Sequence, residues 1–248
     1  DEVGNRISIA CLGVDRAPFM RDSSYALEKR RHDERGNLTN RDFFDTRNQP
    51  IITKDGYSQV HYDYDGQGKL MSVAYLSLDG QPTIGDKGYA RKEYEYSADR
   101  ISAVSFYDTN QEPTLHDDGF ARTTFAHDER GNLLKVRHFG IDDSPILNND
   151  HVAGYDASYN SEDQFTSWTW VGVEGHATMH ADGYAREQVS YSRGRWSSFT
   201  MKDTRGRPVL SRFGYTTQAI KRDEQGRIIE RAFFGPNEEP KDSEGHRA

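Results

Sequence analysis

The sequence has little cysteine, no long apolar run and no cluster of basic charge, and each shortage excludes a class of protein. Its 248 residues include one cysteine, Cys11, which excludes an internal disulfide framework. No apolar run approaches the roughly 20 residues needed to span a bilayer. The net charge of -8 is spread along the chain, so nucleic acid is not an expected partner.

Hydrophobic residues are also scarce, at 34% of the chain with a mean hydropathy of -0.93. Aromatic residues nevertheless reach 12%, including 14 Tyr and 12 Phe, and this content argues against disorder. The combination is typical of a thin, strand-rich array whose faces are only partly covered.

A short motif recurs through the whole chain in a fixed phase. Its fullest copies are Asp33-Glu34-Arg35-Gly36-Asn37-Leu38 and Asp128-Glu129-Arg130-Gly131-Asn132-Leu133, and Asp223 begins the last copy. Successive copies are 31 or 32 residues apart, which gives about eight units. The first residues of the copies are Asp1, Asp33, Asp65, Ser97, Asp128, Asn160, Ser192 and Asp223. This periodicity predicts one continuous repeat array over residues 1–248.

Two further markers keep the same phase. Seven of the eight prolines recur once per unit, with Ala177 in the remaining slot. Five units also carry a glycine, an aromatic and a small residue, as in Gly88-Tyr89-Ala90, and Ser24-Tyr25-Ala26 and His151-Val152-Ala153 occupy the same position in two others. Asp1 falls in the middle of a unit, so we expect the array to belong to a longer chain.

The residue pattern of each unit predicts two strands separated by tight turns. The run Tyr89–Tyr96 ends with alternating aromatic and charged residues, the period of a half-exposed strand. Asp and Gly in the motif favour a turn, and Gly and Pro interrupt the chain too often for helices. The predicted fold is all-β: antiparallel hairpins in an elongated twisted meander or spiral sheet, with a closed propeller as the alternative.

The aligned columns predict which positions face inward. The fifth residue after the motif aspartate is apolar in nearly every unit, and the third residue before it is aromatic or aliphatic. The first column contains Leu38, Leu70, Ile101, Leu133, Phe165, Trp196 and Ile228, and the second contains Tyr62, Tyr94, Phe125, Val189 and Ile220. Cys11 occupies a column of aromatic residues, which predicts a small buried side chain rather than a reactive thiol.

The segments Tyr64–Leu70 and His127–Leu133 resemble the tyrosine-aspartate (YD) repeat of the bacterial Rhs family. They are also similar to the variant MORN-type and Trp-Gly (WG) repeats of bacterial proteins. The resemblance implies a β-hairpin repeat without catalysis, often in a secreted, periplasmic or cell-surface protein, that serves as scaffold, shell or interaction surface. The present unit is longer and carries its own Pro and Gly-Tyr-Ala markers.

The unit from His151 to Asp182 departs most from the repeat, and departures are where a function is expected. It contains the binding candidates Tyr155, Glu174, His176 and His180. Two histidines four apart match metal-ligand spacing only on a helix, and here they lie in a predicted loop. A degenerate turn is therefore the simpler interpretation, and no metal or other cofactor is predicted.

Tryptophans and acidic turns are the remaining candidates. Trp168 and Trp170 share one strand face and suggest a sugar-stacking platform, although they and Trp196 align with core columns. The acidic turns offer two carboxylates, fewer than an EF-hand calcium loop requires. The sequence thus favours a non-catalytic module that presents a Tyr-rich surface to a protein or glycan partner. The alternatives are a shell or spacer of a larger secreted or toxin-like protein, and a glycan-processing enzyme.

Overall fold

The computed structural model describes residue 1, residues 4–22 and residues 24–241. These residues form sixteen β-strands and no helix, so none of them lies in a helix that could span a membrane. The strands are β1 Ser8–Ala10, β2 Leu27–His32, β3 Leu38–Phe44, β4 Gln59–Tyr64, β5 Leu70–Leu76, β6 Arg91–Ser97, β7 Arg100–Tyr107, β8 Arg122–His127, β9 Leu133–Phe139, β10 Gly154–Tyr159, β11 Phe165–Val171, β12 Arg186–Ser192, β13 Arg195–Lys202, β14 Thr217–Arg222, β15 Ile228–Phe234 and β16 Pro240–Lys241.

The strands follow one another in the sheet in chain order, from β1 at one end to β16 at the other. The predicted meander of antiparallel hairpins is therefore confirmed, and the closed propeller is not formed by the described residues. The chain divides into two compact units, each of which contains several repeats. Unit 1 comprises Asp1–Thr123 and Ile141–Asp143, and unit 2 comprises Thr124–Gly140 and Ser144–Ala248. A single copy of the sequence motif is called a repeat.

Most repeats contain three turns of one design, which we call the hairpin turn, the proline turn and the glycine turn. In two repeats the hairpin turn is instead a two-residue turn, Ala98-Asp99 or Arg193-Gly194, with both residues at positive φ. In the hairpin turn Asp65–Lys69, the Gly68 amide donates to the Asp65 carbonyl at 3.0 Å and the Asp65 amide donates to the Lys69 carbonyl at 2.9 Å. The Asp65 carboxylate also accepts two turn amides. Gly68 has a φ of +85°, the left-handed conformation that the fourth turn position requires.

The proline and glycine turns repeat this pattern with other residues. In the proline turn, the Asp45 carboxylate accepts hydrogen bonds from the backbone amides of Arg47 and Gln49, and Asn48 adopts the positive φ. In the glycine turn, the Thr53 amide donates to the Tyr57 carbonyl and the Gly56 amide donates to the Thr53 carbonyl. Because each turn fixes the register of the strands beside it, the repeat keeps its phase without insertions.

A column of small residues carries the hydrogen-bond ladder from one repeat to the next. The Ala90 amide donates to the Tyr107 carbonyl, and the Ala90 carbonyl accepts from the Tyr75 amide, each at 2.8 Å. No member of the column is more than 2% exposed. The members are Ala26, Ser58, Ala90, Ala121, Ala153, Ala185 and Thr216. The column is therefore buried, and its backbone joins neighbouring repeats.

Aromatic side chains from successive repeats pack on one another and form an aromatic ladder within each compact unit. In unit 1 successive ring centroids are 4.5 to 5.9 Å apart from Tyr25 to Phe106 through the intervening Phe43, Tyr57, Tyr75 and Tyr89. In unit 2, Tyr215 lies 4.8 Å from Phe233 and 6.3 Å from Phe199. At such separations aromatic pairs add about 0.5–1.5 kcal/mol beyond the area they bury.

The tyrosine before the motif aspartate links consecutive repeats. Its hydroxyl donates to the backbone carbonyl of the residue 26 positions earlier in the chain, as from Tyr96 to Leu70 at 2.8 Å. Tyr64, Tyr159 and Tyr191 make the same bond to Leu38, Leu133 and Phe165. This geometry explains why a tyrosine recurs beside the aspartate.

The predicted inward columns are correct only in part. In the column three residues before the motif aspartate, Ile220 is buried and the other side chains are half-buried. In the column after it, Ile101, Trp196 and Ile228 are exposed by 36 to 40%. These residues begin the second strand of a hairpin, beyond the end of the aromatic ladder. Cys11 is likewise half-buried and not enclosed as predicted.

Replacing Tyr96 by Phe should lower the free energy of unfolding by about 1 kcal/mol, because one partly buried hydrogen bond between repeats is lost. Chemical denaturation measures this change. Tyr94→Phe is the matched control, since the Tyr94 hydroxyl has no hydrogen-bond partner among the described residues. Equal effects of the two substitutions would contradict the linking role of Tyr96.

Candidate interaction surface

An apolar side chain recurs at one place in seven repeats and is exposed in six of them. Two residues after the proline position these repeats carry Ile, Leu or Met, whereas Asp242 follows Pro240. We call these side chains the aliphatic row: Ile52, Ile84 and Leu115 in unit 1, and Leu147, Met179 and Leu210 in unit 2. Their exposed fractions lie between 38 and 54%. Met20 is a half-buried member in the first repeat.

The extended backbone of this segment sets the direction of the side chains. Pro82 bridges to Leu76 at the end of the preceding strand, and the Thr83 amide donates to the Tyr75 carbonyl. Alternation along an extended chain then places Pro82 and Ile84 on one side and Thr83 on the other. The burial pattern agrees, because Pro82 and Ile84 are exposed whereas Thr83 is half-buried.

The glycine turns hold the aliphatic row at fixed spacing. The Asp86 amide donates to the Asp55 carbonyl of the preceding repeat at 2.9 Å, and in unit 2 the Arg212 amide donates to the Asp182 carbonyl at 2.8 Å. A Cβ at Gly56 would lie 3.1 Å from the Ile84 carbonyl oxygen. The glycine therefore provides the positive φ of the turn and the space for the next segment.

The exposed apolar surface is aliphatic rather than Tyr-rich as the sequence suggested. All 14 tyrosines are buried or half-buried, because their rings form the aromatic ladder or link repeats. The proline turns add further exposed apolar groups, such as Leu78 at 50% and Val173 at 43%. The aliphatic row could have been found from the sequence, because the residue two places after the proline position is Ile, Leu or Met in seven of the eight repeats.

Gly88→Ala should destabilise the fold more than Gly80→Ala. Both residues have positive φ, +85° and +77°, which costs alanine about 1–2 kcal/mol. Only at Gly88 would the added Cβ meet backbone, 3.3 Å from the Leu115 carbonyl oxygen, whereas Gly80 has nothing within 4 Å. Thermal unfolding of the two variants compares them directly, and an equal loss would contradict the close packing of the glycine turns.

The structure brings two of the four predicted binding residues together and leaves the other two apart from them. Tyr155 and His180 both contact the Trp170 ring, with centroids 5.6 and 4.6 Å away. Glu174 and His176 lie exposed in the proline turn of that repeat. Among the described residues these side chains form no metal-ligating group; the one such group is His116, Asp117 and Asp118.

His180 serves as part of a glycine turn. Its Nδ1 accepts the Asp182 amide at 3.0 Å, the role that an aspartate carboxylate plays in other turns. Asp182 and Asp150 also approach the imidazole, at 3.3 and 3.7 Å. Stacking on Trp170 completes the packing of its ring. These contacts account for His180 as a structural residue.

Trp168 and Trp170 share one face of β11, as the sequence predicted, with ring centroids 6.0 Å apart. Neither ring is fully exposed, so they form no open platform. Both indole nitrogens are buried, and each interacts with the Tyr184 hydroxyl. Trp196 is more exposed and lies under the guanidinium of Arg222, 5.9 Å from its ring.

Sequence reasoning missed Glu187, which lies opposite Trp168 on β11 and Met201 on β13. Burial raises the pKa of its carboxyl to about 7. Within the described part of the chain, Glu187 makes no hydrogen bond or ion pair. Burial also raises the pKa of Tyr184 to about 12, and the charge of nearby Glu187 acts in the same direction. No motif marks Glu187, because its column contains unrelated residue types in the other repeats.

Stability should fall as pH rises through the range set by Glu187. The folded state holds this proton up to about pH 7, whereas the unfolded chain releases it near its ordinary value of 4.5. Raising the pH from 4.5 to above 7 should therefore cost about 2–3 kcal/mol. Glu187→Gln should remove this part of the pH dependence in denaturation curves, and Glu224→Gln, at an exposed position, should leave it unchanged. A pH profile that Glu187→Gln does not alter would contradict this assignment.

Comparisons with known proteins leave the family open. No family model and no curated protein matches the chain. Of the solved structures, a chain in the crystal structure of TcdB2-TccC3-Cdc42 matches with a TM-score of 0.42 and 13% identity, over 82% of this chain and 10% of that one. The Photorhabdus luminescens Tc holotoxin pore matches with a TM-score of 0.40 and 12% identity, over 85% of this chain and 10% of the other. This chain thus spans about a tenth of the length of those chains.

Proposed function

We propose that this chain is a non-catalytic scaffold that holds the aliphatic row for a protein partner. The observation that carries the proposal is the recurrence of Ile, Leu or Met at this position in seven repeats, exposed in six of them, on backbone fixed by the glycine turns. Folding alone does not favour an apolar residue at a position that stays in water. A partner that covers the side chain does favour it.

The spacing suits an extended protein surface. Equivalent residues of consecutive repeats are two strands apart, which corresponds to about 10 Å at the usual strand separation. Covering the exposed part of one such side chain contributes about 1 kcal/mol. Three side chains in one unit thus supply several kcal/mol, and their rigid backbone lowers the entropy lost on binding.

A protein is the favoured partner because the exposed groups are aliphatic. Sugar recognition by stacking uses exposed aromatic faces, and the tyrosines here are buried or half-buried. The proposed surface acts by burial and supplies no reacting group, in keeping with a scaffold. The second role considered, a shell or spacer, differs in that the row is covered by another segment of the same polypeptide.

Photo-crosslinking in cells of the native source tests the proposal. A photoreactive residue in place of Leu78 lies in the proline turn just before Ile84 and should form an adduct with one defined protein. The triple variant Ile52→Asp, Ile84→Asp and Leu115→Asp should reduce that adduct at least tenfold, because charged side chains cannot be buried against an apolar surface. Mass spectrometry identifies the adduct.

The control variant is Asn48→Asp, Gln81→Asp and Asn110→Asp, which adds the same charge at exposed polar positions of the same unit. It should leave the adduct unchanged. An adduct that survives the aliphatic substitutions would overturn the proposal. An adduct within the same polypeptide would replace the scaffold role with the shell role.

A further inference from the structure

Two glutamates occupy the same position of the repeat, and their surroundings differ. Glu28 and Glu187 each lie two residues after a small-column residue, Ala26 and Ala185, on the face that carries the aromatic ladder. Glu28 is 1% exposed, whereas Glu187 is half-buried. The first repeat shows what a carboxylate at this position requires.

The Glu28 carboxylate is neutralised by two guanidinium groups of its own sheet. Arg41 donates to both carboxylate oxygens at 2.9 Å, and Arg30 donates to one of them at 2.5 Å. The Arg41 guanidinium also lies 5.0 Å from the Phe43 ring centroid. A buried carboxylate thus has paired charge, a bidentate partner and an aromatic neighbour, the combination that makes such burial tolerable.

Glu187 lacks both cations. The register that pairs Arg30 with Arg41 pairs Val189 with Phe199 in the later repeat, so apolar side chains occupy both positions. No described residue replaces them as a partner. The carboxylate nevertheless keeps some access to solvent, so a group from outside can reach it.

Aromatic side chains lie on the strands around Glu187. The indole nitrogens of Trp168 and Trp170 are buried and interact with the Tyr184 hydroxyl. Phe199 lies 6.3 Å from both Trp196 and Tyr215, so aromatic rings stand on the strands that flank the carboxylate. Aromatic faces beside a carboxylate attract organic cations, because the ring quadrupole adds to the charge attraction.

We propose that Glu187 is the anionic centre of a binding site for an organic cation, namely a guanidinium group of the kind that Arg41 supplies to Glu28. In this site the ligand guanidinium pairs with the Glu187 carboxylate, and the rings of Trp168 and Phe199 flank it. The natural source of such a group is an arginine side chain of a bound peptide or protein. The site is separate from the aliphatic row, so the two proposals are tested by different experiments.

Titration with a blocked arginine, N-acetyl-arginine methylamide, tests the site at pH 8, where Glu187 is ionised. The three tryptophans give three indole N–H signals in an NMR spectrum. The Trp168 signal should shift saturably, with a Kd on the order of millimolar for a single side chain. The Trp196 signal, at the far end of the hairpin, should shift much less. The neutral isostere N-acetyl-citrulline methylamide should cause no saturable shift.

Two variants separate the site from a general effect on folding. Glu187→Gln should weaken binding at least tenfold by removing the charge. Val189→Arg places a guanidinium where Arg30 lies in the first repeat and should also weaken binding at least tenfold, because the carboxylate then has an internal partner. An equal response to arginine and citrulline, or binding that survives Val189→Arg in a folded protein, would overturn the proposal.

Discussion

The small column is the constraint on which the rest of the structure depends. Six of its seven residues donate their amide to one neighbouring strand and, through their carbonyl, accept from the other, as Ala185 does with Lys202 and Trp170. These bonds carry the sheet from one repeat to the next. The three turns then set the phase in which this contact recurs.

A sheet built in this way uses its aromatic residues internally, and this determines what remains for a partner. Tyrosine rings pack on other aromatic rings, as Tyr57 does on Tyr75, and other tyrosines donate their hydroxyls to an earlier repeat, as Tyr96 does to Leu70. The glycine turns close against the next repeat and hold the aliphatic row in place. The surface available for binding is therefore formed by Ile, Leu and Met, although tyrosine is the more abundant residue type.

The sequence contained enough to predict the meander and the turns, because both follow from local chemistry repeated in one phase. It could not place the column of Trp196 and Ile228, whose burial depends on where the aromatic ladder ends along each strand. The contact of His180 with Trp170 depends on which turn lies above which ring, and spacing along the chain does not contain that information. Glu187 appears only when its repeat is compared with the ion pairs of Glu28.

Hydrogen exchange of individual backbone amides tests the central claim most directly. The account predicts that the amides of Ser58, Ala90, Ala153 and Ala185 are among the slowest to exchange, because each is buried and donates to the next strand. The turn amides of Gly80 and Gly175 should exchange far faster, since both residues are exposed. If the amides of the small column exchange as fast as these turn amides, the small column does not hold the repeats together and the account is wrong.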